Sequence, residues 1–443
     1  MVFSSLLFLF RFLPIALIIY FITPKKFRNL ILLILSLIFY SWGEPKYFFI
    51  MISSIFVDYS LSLVIAHNRS HKKLCVSMLS LSLLFNLGML FLFKYSGLNL
   101  TLPLGISFYT FQTLSYTIDV FRNKVTAEKN IIDFGAFVSL FPQLIAGPIV
   151  KYTDINLELK NRSITLDSFE DGISEFIIGL GKKVLIANNI GMLWNDITNI
   201  GFNNISMPLA WIGIIAFSMQ IYYDFSGYSS MAIGLGKMLG FNFPVNFNFP
   251  YISKSISEFW RRWHITLGSW FREYVYIPLG GNRVSKLRLF FNLFIVWFLT
   301  GMWHGAEMTF ILWGLFFFLL IGIEKIFLLD FLENHPIIAH IYTKFFLAIS
   351  WCIFAIPNFN ELVIYLKKMF HFNNINTDIL YYLSNYGVVL FIAILFSTPV
   401  IYKSYIKLKK NSMIRVLILS LILVLSTAYL VDSTYNPFLY FRF

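Results

Sequence analysis

Residues 251–314 contain the side chains of this chain that are best suited to acid–base chemistry. Two histidines, His264 and His304, lie there in apolar surroundings, beside Arg, Glu and Trp residues at a density that a lipid-facing helix would not tolerate. An imidazole with its ordinary pKa of about 6.5 is mostly neutral at pH 7 and can take a proton from a hydroxyl group. We therefore look for function first in this segment.

The first histidine lies in a stretch that we predict to be one amphipathic helix, from Ser257 to Tyr276. Steps of about 100° per residue place the charged side chains on one side of this helix and an aromatic face on the other. His264 then lies beside the aromatic face, next to Phe271. A packing histidine that hydrogen-bonds a backbone carbonyl is an equally good interpretation of this position. A proline and two glycines at 278–281 are expected to end the helix.

The second histidine lies towards the far end of a predicted membrane span. Basic residues that end with Arg288 precede the span, so it should begin at the cytoplasmic side. At about 1.5 Å per residue, His304 lies roughly 24 Å beyond Arg288, in the outer half of a hydrocarbon core about 30 Å thick. An ionisable residue at that depth is a functional candidate, and Gly301 and Gly305 let a substrate or another backbone come close. A structural histidine is the alternative.

These segments belong to a chain that is apolar from end to end. Its 443 residues are 58% hydrophobic, the mean hydropathy is +0.72, and runs of about 20 apolar residues recur throughout. This pattern predicts a polytopic helical membrane protein with a single domain, residues 1–443. A β-barrel is excluded because its signature is short alternating segments. The net charge is +13. The Lys and Arg residues lie in short loops between spans, where the positive-inside rule explains them, so no nucleic-acid binding is predicted.

Loop charges also predict the orientation of the chain. Lys25, Lys26 and Arg28 mark one loop as cytoplasmic, which places the N-terminus outside. Alternation of the following spans places the C-terminus outside as well. The segments 102–124 and 134–152 are polar or broken by proline and glycine, and we expect both to line a cavity that is shielded from lipid. For the first segment, an ordinary kinked span is an equal alternative.

The two cysteines do not indicate a metal or disulfide site. Cys75 and Cys352 lie within or beside apolar segments, without a CxxC pattern or neighbouring histidines. We therefore predict neither a bound metal nor a disulfide framework.

The C-terminal segment 432–443 is an aromatic tail that ends in FLYFRF. Such a hexapeptide could lie at the membrane interface, where aromatic side chains are common. Equally, the tail could fold back into a cavity of the protein.

Seven stretches, taken in order from the first residue to the last, carry a recognisable pattern. They are MVFSSLLFLFRFLP, LPLGISFYTFQTLSYTIDVFR, FPQLIAGPIVKY, DFSGYSSMAIGLGKMLGFNFPVNFNFPY, SISEFWRRWHITLGSWFREYVYIPLGGNR, MWHGAEMTFILWG and FLYFRF. Taken together, they resemble the membrane-bound O-acyltransferase family, and specifically its bacterial branch that acetylates alginate or peptidoglycan. Departures from the family pattern occur at Ser230, where Asp is common, and at Arg442, where Gln is common. A span near residue 350 also lacks an arginine that the family often carries.

The resemblance implies an all-α ring of about 11 to 12 spanning helices, with re-entrant or interfacial helices, around a central tunnel. The tunnel would join a cytoplasmic acyl-donor site to an outer cavity. His304 occupies the position of the family's catalytic histidine in the WHG motif. His264 occupies the position of the second polar residue of the active site in FWRRWH.

The resemblance also implies the reactants. Acetyl-CoA is the expected acyl donor and no cofactor is bound. Four basic residues are available for its phosphates, although positive-inside residues would look the same. A separate periplasmic or membrane-anchored transferase is the expected partner, and Tyr440 of the tail is a candidate acyl relay. The four basic residues are Arg261, Arg262, Arg283 and Lys286.

We therefore predict a multi-pass O-acetyltransferase of the bacterial inner membrane, with both termini in the periplasm. Its expected final acceptor is a cell-wall polysaccharide. The abundance of Phe, Ile, Lys and Asn indicates an AT-rich genome, which favours peptidoglycan over alginate. One alternative is a transporter of a polysaccharide or lipid precursor, although the chain lacks the paired halves that transporters usually show. Another is a scaffold that anchors a soluble transferase and does not need His304.

Overall fold

The protein is described by a computed structural model that covers residues 2–98, 100–145, 147–371, 378–408, 411–432, 435–437 and 439. Tyr440 and Arg442 lie outside the described residues. Within the covered ranges the secondary structure is entirely helical, which confirms the predicted all-α fold. Nine of the described helices are long and apolar enough to cross a membrane, and Phe8–Ile22 is a shorter apolar helix. The protein is therefore a multi-pass membrane protein.

The contacts between Cα atoms divide the chain into two compact units. The assignment of residues 1–443 to one domain stays a prediction. Within the described residues, the first unit comprises Met1–Gly179 and Tyr228–Val245. Its helices are Phe8–Phe12, Leu13–Ile22, Lys25–Phe27, Arg28–Gly43, Phe48–His67, Lys72–Tyr95, Ile106–Phe121, Ile131–Ser139, Phe141–Leu144, Tyr152–Lys160 and Leu166–Gly181, the last two residues of which belong to the second unit.

The second unit comprises Leu180–Gly227 and Asn246–Leu439. The helix Met207–Leu239 begins in this unit and ends in the first. The other helices of the second unit are Lys182–Asn188, Asn189–Ile200, Phe202–Asn204, Pro250–Ile252, Ile256–Arg262, Ile265–Phe271, Arg272–Tyr276, Lys286–His304, Met308–Ile323, Glu324–Leu328, Leu329–Asn334, Pro336–Ala355, Phe359–Phe370, Asp378–Phe396, Pro399–Leu408 and Ser412–Asp432.

The two segments that were expected to line a shielded cavity have different structures, and both lie in the first unit. Residues 102–124 contain one continuous helix, Ile106–Phe121, whose polar side chains are almost all buried. Residues 134–152 contain the end of Ile131–Ser139 and the four-residue helix Phe141–Leu144, separated at Leu140 and followed by non-helical chain. Burial of both segments fits the rule that polar or broken backbone is shielded from lipid. The cavity that they were expected to line stays a prediction.

A buried carboxylate ties three helices of the first unit together. Asp58 is fully buried and accepts hydrogen bonds from Asn86 Nδ2 at 2.8 Å, from Thr117 Oγ1 at 3.2 Å and from the hydroxyl of Ser82. A carboxylate among apolar helices needs such donors, because its transfer from water is otherwise costly. We therefore interpret Asp58 as a structural residue.

The helix Met207–Leu239 spans 33 residues without a break. The polar residues that interrupt its apolar pattern do not interrupt the helix. Asp224, Ser226 and Tyr228 are all buried in it. A polar residue in the interior of such a helix must find a partner in the protein, so Asp224 is expected to have one.

Candidate active site

The single helix predicted from Ser257 to Tyr276 is wrong, because the chain breaks at Trp263 and His264. Two short helices, Ile256–Arg262 and Ile265–Phe271, lie on either side of the break, and a π-helical turn at Arg272–Tyr276 follows. Between them His264 adopts a left-handed backbone, with φ of 44° and ψ of 53°. The π-helical turn ends at Tyr276, before the proline and the two glycines at 278–281 that were expected to end the helix. His264 is therefore a junction residue rather than a member of a continuous helical face.

The break is stabilised by the loop that precedes it in the chain. Asn248 N donates to Arg262 O at 2.9 Å and Ile265 N donates to Asn246 O at 3.0 Å. The side-chain oxygen of Asn246 accepts from Thr266 N at 3.2 Å and from Thr266 Oγ1 at 2.9 Å. A left-handed residue other than glycine costs about 1–3 kcal/mol. These hydrogen bonds offset that cost, because they satisfy the backbone groups that a continuous helix would have paired.

The same asparagine fixes the tautomer of His264. The Nδ1 atom lies 3.1 Å from Asn246 Oδ1. That oxygen already accepts a backbone N–H, so it is an acceptor, and Nδ1 must carry the ring proton. The lone pair of the ring is therefore on Nε2. Burial lowers the pKa of His264 to about 3, which keeps the imidazole neutral at physiological pH.

We predict that Asn246→Asp makes activity sensitive to acid. A carboxylate beside Nδ1 favours the protonated ring and raises the pKa of His264. Protonation removes the Nε2 lone pair, so acyl transfer should decline as the pH falls through the raised pKa, whereas the wild type shows no such decline from His264. The pH–rate profile of CoA release checks this, with Asn248→Asp as the control on the exposed part of the loop. Superimposable profiles for wild type and Asn246→Asp would exclude a role for the neutral ring.

The start of the helix Ile256–Arg262 is held by two side chains. Ser255 Oγ accepts from Glu258 N at 3.0 Å. Glu324, which is fully buried, accepts from Ile256 N at 2.6 Å and from Ser257 N at 2.8 Å. The first backbone N–H groups of a helix lack partners within the helix, and a carboxylate there also complements the helix dipole. Glu324 thus fixes the position of the helix that leads to His264.

His304 is the last residue of the helix Lys286–His304 and is 3% exposed. Its ring packs edge-on against Trp313, with centroids 4.8 Å apart, and against Phe354 at 5.3 Å. Phe310 stacks at 6.4 Å. An aromatic enclosure restricts the imidazole to a few orientations and excludes bulk water, both of which favour a base that acts on one substrate atom.

Close packing of two helices positions His304. A Cβ atom at Gly301 would lie 2.5 Å from the carbonyl oxygen of Phe310, so only glycine allows the backbone of Met308–Ile323 to approach this closely. The expectation that small residues beside His304 admit another backbone is confirmed at Gly301. A larger residue there would displace the helix that carries His304.

We predict that Gly301→Ala lowers both stability and activity. Overpacking of this kind costs about 1–3 kcal/mol, so the unfolding midpoint in detergent should fall and CoA release should decrease. The matched control is Gly88→Ala, because a Cβ at that helical glycine meets no atom within 4 Å. An unchanged midpoint for Gly301→Ala would show that the helices separate without cost and that the close approach does not position His304.

Both histidines lie against the same indole. The ring centroid of Trp303 is 4.9 Å from that of His304 and 6.2 Å from that of His264. The ring of Phe225 also packs against that of His264, with centroids 4.7 Å apart. The structure therefore brings together two side chains that are 40 residues apart in the sequence.

The four basic residues predicted to bind CoA phosphates have different environments. Arg262 forms an ion pair with Glu258 at 2.8 Å and donates through Nη1 to Asn248 O at 3.1 Å. Its guanidinium group therefore has a structural role at the helix break. The side chains of Arg261, Arg283 and Lys286 are exposed. Their contact with a phosphate stays a prediction.

Sequence reasoning missed four residues around this site. Asn246 and Glu324 position His264, as described above. Lys183 and Asp224 form a buried ion pair, with Nζ and Oδ1 2.5 Å apart. Leu439 N of the C-terminal tail donates to Asp224 Oδ2 at 2.7 Å. A charge inside an apolar helix was the available signal, because such a charge requires a partner.

Comparisons with known proteins show which family the chain belongs to. The sequence profile described as MBOAT, membrane-bound O-acyltransferase family, matches residues 37–365. A probable alginate O-acetylase of Pseudomonas syringae is 40% identical over 395 residues, which are 84% of this chain and 76% of the relative. The peptidoglycan O-acetyltransferase of Helicobacter pylori is 34% identical, over 85% of this chain and 81% of the relative. A teichoic acid D-alanyltransferase of Bacillus subtilis is 29% identical, over 49% of this chain and 58% of the relative.

Proposed function

This chain belongs to the membrane-bound O-acyltransferase family, as its motifs predicted, and from that premise we propose that it transfers acetyl from cytoplasmic acetyl-CoA towards a cell-wall polysaccharide. The chain is a multi-pass membrane O-acetyltransferase. The donor, the acceptor polysaccharide and the placement in the bacterial inner membrane, with both termini periplasmic, are parts of the proposal.

The observation that carries the proposal is the pair of buried imidazoles, His264 and His304, against Trp303. Acyl transfer from a thioester requires a base for the incoming hydroxyl. We assign this role to His304. The hydroxyl oxygen attacks the acetyl carbonyl carbon, the C–O bond forms, the C–S bond breaks, and the proton that His304 removed leaves with the CoA thiolate.

His264 is assigned an orienting role. Its proton is held on Nδ1 by Asn246, so Nε2 acts as a hydrogen-bond acceptor. Such an acceptor can orient an N–H of His304 or the incoming hydroxyl. Polarisation of the thioester carbonyl would need a donor, which this tautomer does not supply through Nε2.

We propose that the phosphates of acetyl-CoA are bound by the cytoplasmic cations Arg261, Arg262, Arg283 and Lys286. The exposure of three of them leaves their donors available to an anion. For Arg262, phosphate binding would have to compete with the ion pair to Glu258.

Tyr440 is proposed as the first acceptor. Its phenol would receive the acetyl group as an ester and pass it to a periplasmic or membrane-anchored transferase, the predicted partner. The support is local: the backbone of Leu439, one residue earlier, is held by Asp224, and the next residue of that helix, Phe225, contacts His264.

For the final acceptor we propose peptidoglycan, with alginate as the second candidate. One of the chain's relatives is a peptidoglycan O-acetyltransferase and another is a probable alginate O-acetylase. The higher identity of the alginate relative keeps that candidate in the test.

The test is a measurement of ester-linked acetate in purified polysaccharides. The chain is expressed with its partner transferase in a host that lacks endogenous wall acetylation and in a host that produces alginate. Acetate released by mild alkali from peptidoglycan, dependent on His304, would support the proposal, and release from alginate alone would support the second candidate. Transfer that persists without His304 would favour the scaffold. A failure to cleave acetyl-CoA with the partner present would favour the transporter.

A further inference from the structure

We propose that Lys183 and Asp224 form a docking site for the C-terminal tail and hold it in one register. The positioning purpose of this site rests on the proposed function, in which the tail carries an acyl group. The docking itself is a property of described residues and can be tested separately.

The ion pair between Lys183 and Asp224 is almost completely buried. Lys183 is 2% exposed and Asp224 is 1% exposed. Lys183 lies in the helical turn Lys182–Asn188 and Asp224 in the helix Met207–Leu239. Transfer of two charges from water to such an interior is expensive, and their mutual attraction compensates only if further hydrogen bonds satisfy them. The pair is therefore expected to have additional partners.

Those partners are backbone groups of the tail. Leu439 N donates to Asp224 Oδ2 at 2.7 Å, and Lys183 Nζ donates to the carbonyl oxygen of Pro437. The carboxylate thus binds a donor and the ammonium binds an acceptor two residues earlier. Each charged group matches the backbone group that it meets, so a shift of the tail by one residue would break both contacts.

Two further contacts extend the docking site along one helical stretch. Asn188 Nδ2 donates to Asn436 Oδ1 at 3.1 Å. The hydroxyl of Tyr435 donates to Gly191 O at 3.3 Å. Lys183, Asn188 and Gly191 all lie between residues 182 and 200. The tail residues 435–437 therefore run beside this stretch before residue 439 reaches Asp224.

The docking site is adjacent to the wall of the active site. Asp224 and Phe225 are neighbours on the helix Met207–Leu239, and the ring of Phe225 lies 4.7 Å from that of His264. The Cα atoms of consecutive residues are only about 3.8 Å apart. Fixing Leu439 at Asp224 therefore restricts the region that Tyr440, the next residue, can reach.

An ion pair that serves only to stabilise the fold should tolerate an exchange of its two charges, whereas a docking site for the tail should not. The exchange variant is Lys183→Asp with Asp224→Lys, which keeps one positive and one negative charge in the pair. The exchange places an acceptor opposite the Pro437 carbonyl and a donor opposite the Leu439 N–H, so both tail contacts become repulsive. A second variant, Lys183→Met with Asp224→Asn, removes both charges together, which buried pairs tolerate better than the loss of one partner.

Tail docking is measured in the full-length chain by disulfide formation between cysteines at positions 188 and 436. The side chains of Asn188 and Asn436 are in contact, whereas the two natural cysteines, Cys75 and Cys352, are buried. The reporter pair is introduced into the wild-type background, the exchange variant and the neutral variant. The rate of disulfide formation, the unfolding midpoint in detergent and acetyl label on the chain are recorded for each.

We expect rapid disulfide formation in the wild-type background and at least a tenfold slower rate in the exchange variant at a similar unfolding midpoint. The neutral variant should give an intermediate rate, because the amide oxygen that Asp224→Asn introduces still accepts from Leu439 N. If the exchange variant does not fold, the rates of disulfide formation in the neutral variant and in the single variant Lys183→Met test the docking site instead. Equal rates in every folded variant would overturn the inference. Slower docking with unchanged acetyl label would uphold the docking site and contradict the relay in the proposed function instead.

Discussion

Replacement of His304 by alanine is expected to reduce the rate of acetyl-CoA cleavage by about 10²- to 10⁴-fold, the usual contribution of a general base. The imidazole is buried among Trp303, Phe310, Trp313 and Phe354, where water cannot easily take its place. Loss of the base leaves the incoming hydroxyl protonated, so the thioester is attacked only by a much weaker nucleophile. CoA release by the purified protein with its partner measures this effect.

Two control variants distinguish the loss of the base from a general loss of folding. His304→Gln retains most of the side-chain volume in the aromatic enclosure and should be equally inactive, with an unfolding midpoint close to that of the wild type. His335→Ala alters an exposed histidine outside the site and should leave CoA release unchanged. Near-normal activity in a folded His304→Ala protein would exclude His304 as the base and would favour the scaffold interpretation.

Tyr440→Phe is expected to abolish acetylation of the polysaccharide while the protein remains folded and in the membrane. The change removes one oxygen, which is the proposed nucleophile, and retains the aromatic ring. Because Leu439 is held through its backbone, tail docking should be unaffected, and disulfide formation between positions 188 and 436 should proceed at the wild-type rate. Ester-linked acetate in the purified polysaccharide is the measurement.

The control for the tail is Tyr429→Phe, which removes a hydroxyl from a half-exposed tyrosine of the helix Ser412–Asp432. Its polysaccharide should be acetylated normally. Normal acetylation in Tyr440→Phe as well would remove the relay from the account and make a hydroxyl of the partner the direct acceptor.

The sequence was sufficient to find the two histidines but not their setting. Both were recognised because an imidazole among apolar and aromatic residues is chemically unusual. The helical projection around His264 failed because it assumes a continuous helix, whereas the loop residue Asn246, 18 positions earlier, bonds to Thr266 and interrupts it. Such a contact depends on where the loop folds, which local periodicity does not encode.

Lys183 and Asp224 illustrate a different limit. Neither residue was predicted to belong to the site, although Asp224 interrupts an apolar pattern and a buried charge implies a partner of opposite sign. Pairing them required the tertiary structure, since they lie on separate helices far apart in the chain. Two predicted sites, Tyr440 and the contacts of the CoA-binding cations, stay predictions. The all-α multi-pass fold was predictable, because long apolar runs have few other solutions.

The most direct test of the account is to incubate the purified protein with radiolabelled acetyl-CoA in detergent, digest it with trypsin and locate the label by mass spectrometry. We expect acetyl on the peptide that begins after Arg415 and contains Tyr440, and no label on any peptide of His304→Ala. A folded wild-type protein that neither releases CoA nor carries acetyl, even when the partner transferase is added, would contradict it.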